Sequence, residues 1–297
     1  MPLLQRDDLD IAIDYETAGS SADPAIVLLR GMGSQRLRWP PEFIAGLAAA
    51  GLFVIAPDYR DIGGSTSLAQ LQVPPFGEFL ASLGRGEPFS APYRLEDLAG
   101  DILALLDHLG VDKAIVFGFS MGGYVGQILA ADHPQRLAGL VSFGSSHLLP
   151  APDKVAPEVM AVMMRGARSD SEADLLEYDL AVCRVQAGDA FPIDEPRYRW
   201  VLREERRRGV PLGSDTRQFM AILASGERTA HCARIGVPTL VLHGSADRLV
   251  PLADALRMAE LVPGAETLVV EGCGHDLTPS LLPRVLPAVI DFCRRAL

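Results

Sequence analysis

Apolar positions along this chain fall into two rhythmic regions separated by a stretch that breaks the rhythm. In the first region, residues 9–16 alternate loosely and predict an outer antiparallel strand. Ala25–Leu29 (AIVLL) is a short continuous apolar run, as expected of a strand buried on both faces. Residues 43–50 predict a helix, and residues 52–56 (LFVIA) the next buried strand. Leu95, Leu98, Ile102, Leu105, Leu106 and Leu109 then recur at helical spacing. A strand over 114–117 (AIVF) follows, then a helix over 121–131 that stops before Pro134, then the strand Leu137–Phe143. The rhythm resumes at 238–243 (PTLVLH), with a helix from about Pro251, a strand Glu266–Val270 and a last helix over 283–295. Strands alternating with helices predict an α/β fold, a mostly parallel twisted sheet with helices on both faces. Active sites in such sheets lie outside the carboxyl ends of the strands, so the residues just after each buried run are the ones to search.

Residues 148–230 lack any evident buried strand and are rich in methionine, arginine and acidic residues. They predict a helical cap inserted after the strand ending at Phe143. The expected division is a core in two parts, 1–147 and 231–297, with the cap at 148–230. A second insert, 66–92, holds several glycines and prolines with Phe76, Phe79 and Phe89. It is too long for an ordinary loop and predicts a functional lid or partial disorder.

Composition narrows the picture. The chain has 297 residues, 48% of them hydrophobic and 22% charged, enough apolar material for a sizeable core. Its net charge of −11 argues against non-specific binding to nucleic acid or to an anionic membrane surface. The charged start (Arg6, Asp7, Asp8, Asp10) has no signal-peptide core, and no run reaches the roughly 18 apolar residues of a membrane span, so a cytoplasmic location is expected. Four scattered cysteines, Cys183, Cys232, Cys273 and Cys293, show no metal or redox pairing and fit free thiols in a reducing compartment. A thiol role for Cys273, two residues from His275, stays conceivable on that spacing alone. Oligomeric state is not legible.

The strand 114–117 runs directly into Gly118-Phe119-Ser120-Met121-Gly122-Gly123. This is G-x-S-x-G in the context that gives it meaning, between a buried strand and a helix. Such a turn lifts the Ser120 hydroxyl clear of the sheet, and the helix that follows aims its N-terminus at developing negative charge. The competing reading is a chance match in a glycine-containing turn.

A serine hydroxyl needs a base to take its proton. Of six histidines, His108 and His133 sit near helix ends, His147 and His231 at the edges of the cap, and His243 at a strand end, where it could line a site or merely pack. His275 follows the strand Glu266–Val270 through Glu271-Gly272-Cys273-Gly274, whose glycines let a loop swing it over the sheet edge; the alternative is a loop histidine in water. The acid should follow another strand end. Asp247 stands in the turn after residues 238–243, where a turn or helix N-cap role is the alternative. Its place between Ser120 and His275 favours it over Asp276, Glu271 and Asp153.

Taken together, these residues resemble the α/β-hydrolase fold superfamily, over nearly the whole chain outside the cap and the 66–92 insert. The markers are Arg30-Gly31-Met32-Gly33 after the first buried strand, Asp58-Tyr59-Arg60-Asp61-Ile62-Gly63-Gly64-Ser65-Thr66 after the second, the G-F-S-M-G turn, G-S-A-D-R-L-V-P around Asp247 and G-C-G-H at His275, in the chain order Ser, Asp, His. Within the superfamily the chain is similar to small bacterial serine esterases of the aclacinomycin methylesterase type. The resemblance implies acyl transfer: Ser120 as nucleophile, His275 as base, Asp247 as its orienting acid, and an oxyanion hole from the backbone N–H groups of Met32 and Met121. No cofactor or metal is implied, and the expected partner is a small-molecule ester-like substrate. Cleavage of a carbon–carbon bond, a lactonase and a cofactor-free perhydrolase are alternatives on the same residues; a non-catalytic ligand receptor is the rival of another class. Arg30 departs from the pattern, since many relatives have histidine there. It either holds the loop by hydrogen bonds or faces the pocket and favours a carboxylate. Trp39, Phe119, His147, Met160 and Met164 are further candidates for contact with substrate, Met160, Met163 and Met164 as a flexible apolar wall or as internal packing of the cap.

Overall fold

The computed structural model describes residues 2–169 and 171–297. Its sheet has eight strands in the order β1-β2-β4-β3-β5-β6-β7-β8. In chain order these are β1 Leu3–Arg6, β2 Ile11–Ala18, β3 Ala25–Leu29, β4 Phe53–Pro57, β5 Ala114–Phe119, β6 Leu137–Phe143, β7 Thr239–Gly244 and β8 Glu266–Val270. β1 and β2 run antiparallel at one edge, and β3 to β8 form parallel pairs. β1 was not anticipated. It is only four residues long, and its burial comes from pairing with β2 rather than from its own pattern.

Alternation along each strand divides the interior in two. Ala25, Val27 and Leu29 face a core with α3 (Leu95–His108), α4 (Met121–Asp132) and α10 (Leu252–Leu261). Ile26, Leu28, Phe117 and Val141 face the other, against α1 (Pro41–Ala49) and α11 (Leu282–Ala296). Both sheet faces are therefore covered, and side chains at the carboxyl rim of the strands are left to do chemistry.

Between β6 and β7 the chain runs through α5 (Pro157–Arg165), α6 (Glu172–Ala187), α7 (Glu195–Arg208), α8 (Ser214–Ser225) and α9 (Thr229–Arg234), with no strand among the described residues. The 66–92 insert is ordered, which corrects the expectation of partial disorder. It contains α2, Phe76–Gly84, and its aromatic residues pack. Phe79 is buried against Phe89, and both Phe76 and Phe79 meet Phe219 of α8. Local pattern could not disclose this, because the partner ring lies more than a hundred residues away.

Candidate active site

β5 leads into α4 through a single residue, Ser120, at φ 53° and ψ −117°. A non-glycine residue there carries about 1–3 kcal/mol of strain, tolerated only where the surroundings over-determine it. Here they do. The Ser120 N–H donates to the Phe143 carbonyl of β6 at 2.8 Å. A side chain at Gly122 would strike the carbonyls of Leu29 and Arg30, so the helix can approach β3 only as glycine. Met121 is the first residue of α4, and its N–H has no acceptor within the helix. On the facing loop a Cβ at Gly31 would stand 3.1 Å from that of Ser120, so the segment carrying Met32 lies directly over the Ser120 turn. Gln218 of α8 accepts a 2.7 Å hydrogen bond from the Gly33 N–H and fixes that loop from the far side.

The rims of β7 and β8 supply the other two groups. The His275 Nδ1–H donates to Asp247 Oδ2 at 2.7 Å, and its Nε2 accepts from the Ser120 hydroxyl at 3.0 Å. Asp247 Oδ1 accepts from the N–H groups of Leu249 and Val250, at 2.9 and 2.8 Å. Burial alone would raise the Asp247 carboxyl. The His275 charge and hydrogen bond, with help from His243 and the Val250 N–H, outweigh burial and hold it below its ordinary value. His243 resolves as a packed neighbour of the acid. It is buried, donates from Nε2 to the Val250 carbonyl at 2.9 Å, and lies 3.4 Å from Asp247 Oδ2. Burial pulls its imidazole below the ordinary value, with the Asp247 charge opposing. Ser120, Asp247 and His275 are thus in register for proton transfer, with the imidazole between hydroxyl and carboxylate.

A model of the alpha/beta hydrolase fold matches residues 24–278. The chain belongs to the α/β-hydrolase fold family. It is 28% identical over 319 aligned residues to a rhodomycin D methylesterase of Streptomyces peucetius, spanning 100% of this chain and 99% of that one. It is 25% identical to 3-oxoadipate enol-lactonase 2 of Acinetobacter baylyi, over 88% of this chain and 86% of the other. Among solved structures, the enol-lactonase from Burkholderia xenovorans matches with a TM-score of 0.73 at 22% identity, covering 99% of this chain and 100% of that one; that likeness is one of fold.

Other residues singled out in this α/β-hydrolase chain lie as follows. Arg30 is buried, and it does not hold its loop by hydrogen bonds as one expectation had it. Its guanidinium stacks over Trp39 and Phe119, at 4.6 and 4.9 Å from the ring centroids, and faces Asp276 across 3.8 Å. Burial pulls its pKa down, with Asp276 opposing, and its Nε and Nη1 have no hydrogen-bond partner among the described residues. Trp39 is the platform beneath it, wholly buried beside Phe43 and Phe117, and so belongs to the core rather than to a pocket wall. Phe119 is buried too, and its ring lies 4.9 Å from that of His275. His147 is buried; its carbonyl accepts from the Arg228 N–H, and burial pulls its imidazole down against the opposing charge of Asp254. Met160 is half-buried and Met164 is 66% exposed, so Met164 stands in solvent rather than in an apolar wall. The Cys273 thiol is fully buried and pushed up to about 12, which removes it from thiol chemistry. Among the described residues no group of His, Cys, Asp or Glu is placed to hold a metal ion, and no helix is long and apolar enough to cross a membrane.

Residue patterns missed Gln218, Tyr198 and Glu205. Glu205 Oε1 accepts from the Gln35 N–H at 2.9 Å, and the Tyr198 hydroxyl donates to Asp276. The only hint was the density of charge over 196–207, which marks a helix surface without saying which charges turn inward.

Proposed function

We propose that this protein is a serine hydrolase of carboxylic esters, of the carboxylesterase or methylesterase type, acting on a small to medium apolar substrate. The observation that carries the reading is the single imidazole of His275, hydrogen-bonded to Ser120 on one side and Asp247 on the other. Ser120 attacks the ester carbonyl as His275 takes its proton. Asp247 keeps the imidazole in the tautomer with its proton on Nδ1 and stabilises the charge that develops. The N–H groups of Met121 and Met32 bind the oxyanion, each worth about 3–4 kcal/mol to the transition state. His275 then protonates the leaving alcohol, and water repeats the sequence to free the acid. The helices α5 to α8 serve as a cap within residues 148–230, and α9 (Thr229–Arg234) leads back into the core. Four free, buried cysteines fit a reducing, cytoplasmic setting.

The match to a rhodomycin D methylesterase, essentially end to end, supports an ester over other acyl substrates. The enol-lactonase relative supports lactones, which are internal esters, as the second class to try. The test is a fluorophosphonate probe followed by a panel of esters and lactones graded by acyl and alcohol size. Wild type should label and turn over activated esters, and Ser120→Ala should do neither. A native protein that stays unlabelled and inert towards the whole panel would return the chain to the ligand-receptor reading.

A further inference from the structure

The loop carrying His275 is held as much by α6 and α7 as by the sheet. The N–H groups of Gly274 and His275 donate to the carbonyls of Ala187 and Gln186, at 3.1 and 2.6 Å. Both carbonyls belong to the last turn of α6, where no intrahelical donor remains for them. A side chain at position 274 would collide with them, so the close approach needs glycine. One residue past the base, Asp276 takes a hydrogen bond from the Tyr198 hydroxyl of α7 on one oxygen. Its other oxygen accepts from the Leu277 N–H at 2.8 Å and faces Arg30 at 3.8 Å. Burial, and after it the Asp276 charge, hold the Tyr198 phenol well above its ordinary value, so it remains a donor throughout any working range. Arg30, in turn, stacks on Phe119, whose ring lies against the imidazole itself.

We propose that Tyr198 and Asp276 are positioning residues through which the cap sets the place of the His275 imidazole, an inference that rests on reading Ser120, Asp247 and His275 as a catalytic triad. The hydroxyl of Tyr198 fixes the Asp276 carboxylate between α7 and Arg30. The α6 carbonyls fix the backbone of His275 directly. Lifting α6 and α7 from the core would break these bonds and release the base, so the cap cannot act as a hinged lid with the triad left intact beneath it. Substrate must enter past the cap, not by its removal.

The experiment compares wild type, Tyr198→Phe, Asp276→Asn, the double variant and Arg208→Gln. It measures kcat and KM on an activated ester, the rate of fluorophosphonate labelling, and the melting midpoint. A misplacement near 1 Å typically costs about 100-fold in rate, so a single lost tether should cost about tenfold or more. Tyr198→Phe is expected to lower kcat and the labelling rate together, with KM nearly unchanged. The double variant should be no worse than Asp276→Asn alone, because the one bond that Tyr198→Phe removes ends on Asp276. Arg208→Gln breaks a cap contact at the other end of α7 and should lower the melting midpoint while kcat stays within about twofold of wild type. Wild-type kcat in Tyr198→Phe, or an equal loss in Arg208→Gln, overturns the inference; the second outcome would mean that cap docking in general is what matters. Should Tyr198→Phe fail to fold, Asp276→Asn carries the same comparison. An unlabelled wild type would sink the hydrolase reading and this inference with it, whereas a labelled wild type with an unimpaired Tyr198→Phe sinks the inference alone.

Discussion

The rim where β5, β7 and β8 end, and the seam where α7 and α8 meet the core, are both polar and both buried, yet they are built from different material. At the rim one carboxylate, one imidazole and one hydroxyl are set by backbone: a strained serine, glycines that let segments touch, and main-chain N–H groups on Asp247. At the seam the fastening is ionic. Arg208 donates to both Asp14 and Asp58, Arg36 faces the same two carboxylates, Arg217 grips Asp61 at 2.6 and 3.0 Å, and Arg38 grips Glu205 at 2.9 Å. Desolvation is heavy there: burial pushes Asp58 up to about 6, although the Arg36 N–H and guanidinium oppose it. Buried ion pairs add little net stability over apolar packing, but removing one partner is costly. On the proposed reading the rim is arranged for reactivity, while the seam anchors α8 and the C-terminal half of α7 to the core.

Substitutions at the two regions should separate these roles. The largest effect belongs to Ser120→Ala, which should lower kcat by about 10⁶-fold in steady-state hydrolysis of an activated ester. Its melting midpoint should barely move, because the hydroxyl's one side-chain hydrogen bond is to His275. Asp247→Asn should follow at about 10⁴-fold in the same assay, since an amide cannot stabilise the imidazolium or hold its tautomer. An Asp247→Asn enzyme with near-normal kcat would detach the acid from the triad and leave it a turn residue.

At the seam the balance should reverse. Arg208→Gln leaves the Asp14 and Asp58 carboxylates with Arg36 as their remaining cation from this group, and denaturant unfolding should show a loss of about 3–5 kcal/mol. Its kcat should stay close to wild type. A loss of activity as large as that of Asp247→Asn, in protein that is still folded, would erase the distinction between the two regions.

The two regions also differed in how far the chain's own pattern disclosed them. The Ser120 turn is contiguous: a strand, the G-F-S-M-G motif and a helix announce one another. Asp247 and His275 were reachable because β7 and β8 are short apolar runs whose ends could be searched. The seam has no such signature. Tyr198 and Asp276 are 78 residues apart, and Arg208 and Asp14 are 194 apart. Each charge taken singly reads as a solvated surface residue, because the burial that makes it matter is a property of the docked helices. For the same reason the pattern did not show Trp39 to be core: whether an aromatic side chain lines a pocket or fills a core depends on what closes over it. The helix at Phe76–Gly84 was hidden likewise, its buried face being completed by Phe219.

The smallest expected effect concerns His243, which sits behind the rim but behaves as seam material does. Its folded pKa lies below the ordinary 6.5 because burial disfavours the charged ring. As pH falls, the unfolded chain therefore takes up this proton before the folded one. The stability tied to neutral His243 is fully present above about pH 6.5 and fades as pH drops towards the lower folded value, with a slope of at most about 1.4 kcal/mol per unit. Asp247, also held low, loses its contribution on the acid side as well, but in a more acid window. His243→Gln keeps an N–H for the Val250 carbonyl while removing the titration. Urea unfolding at pH 7.5 and at pH 5 should show wild type losing more stability than His243→Gln between the two conditions. Equal losses would place the His243 proton on both states alike, and would mean that the acid's neighbour is solvated in a way its burial beside Asp247 denies.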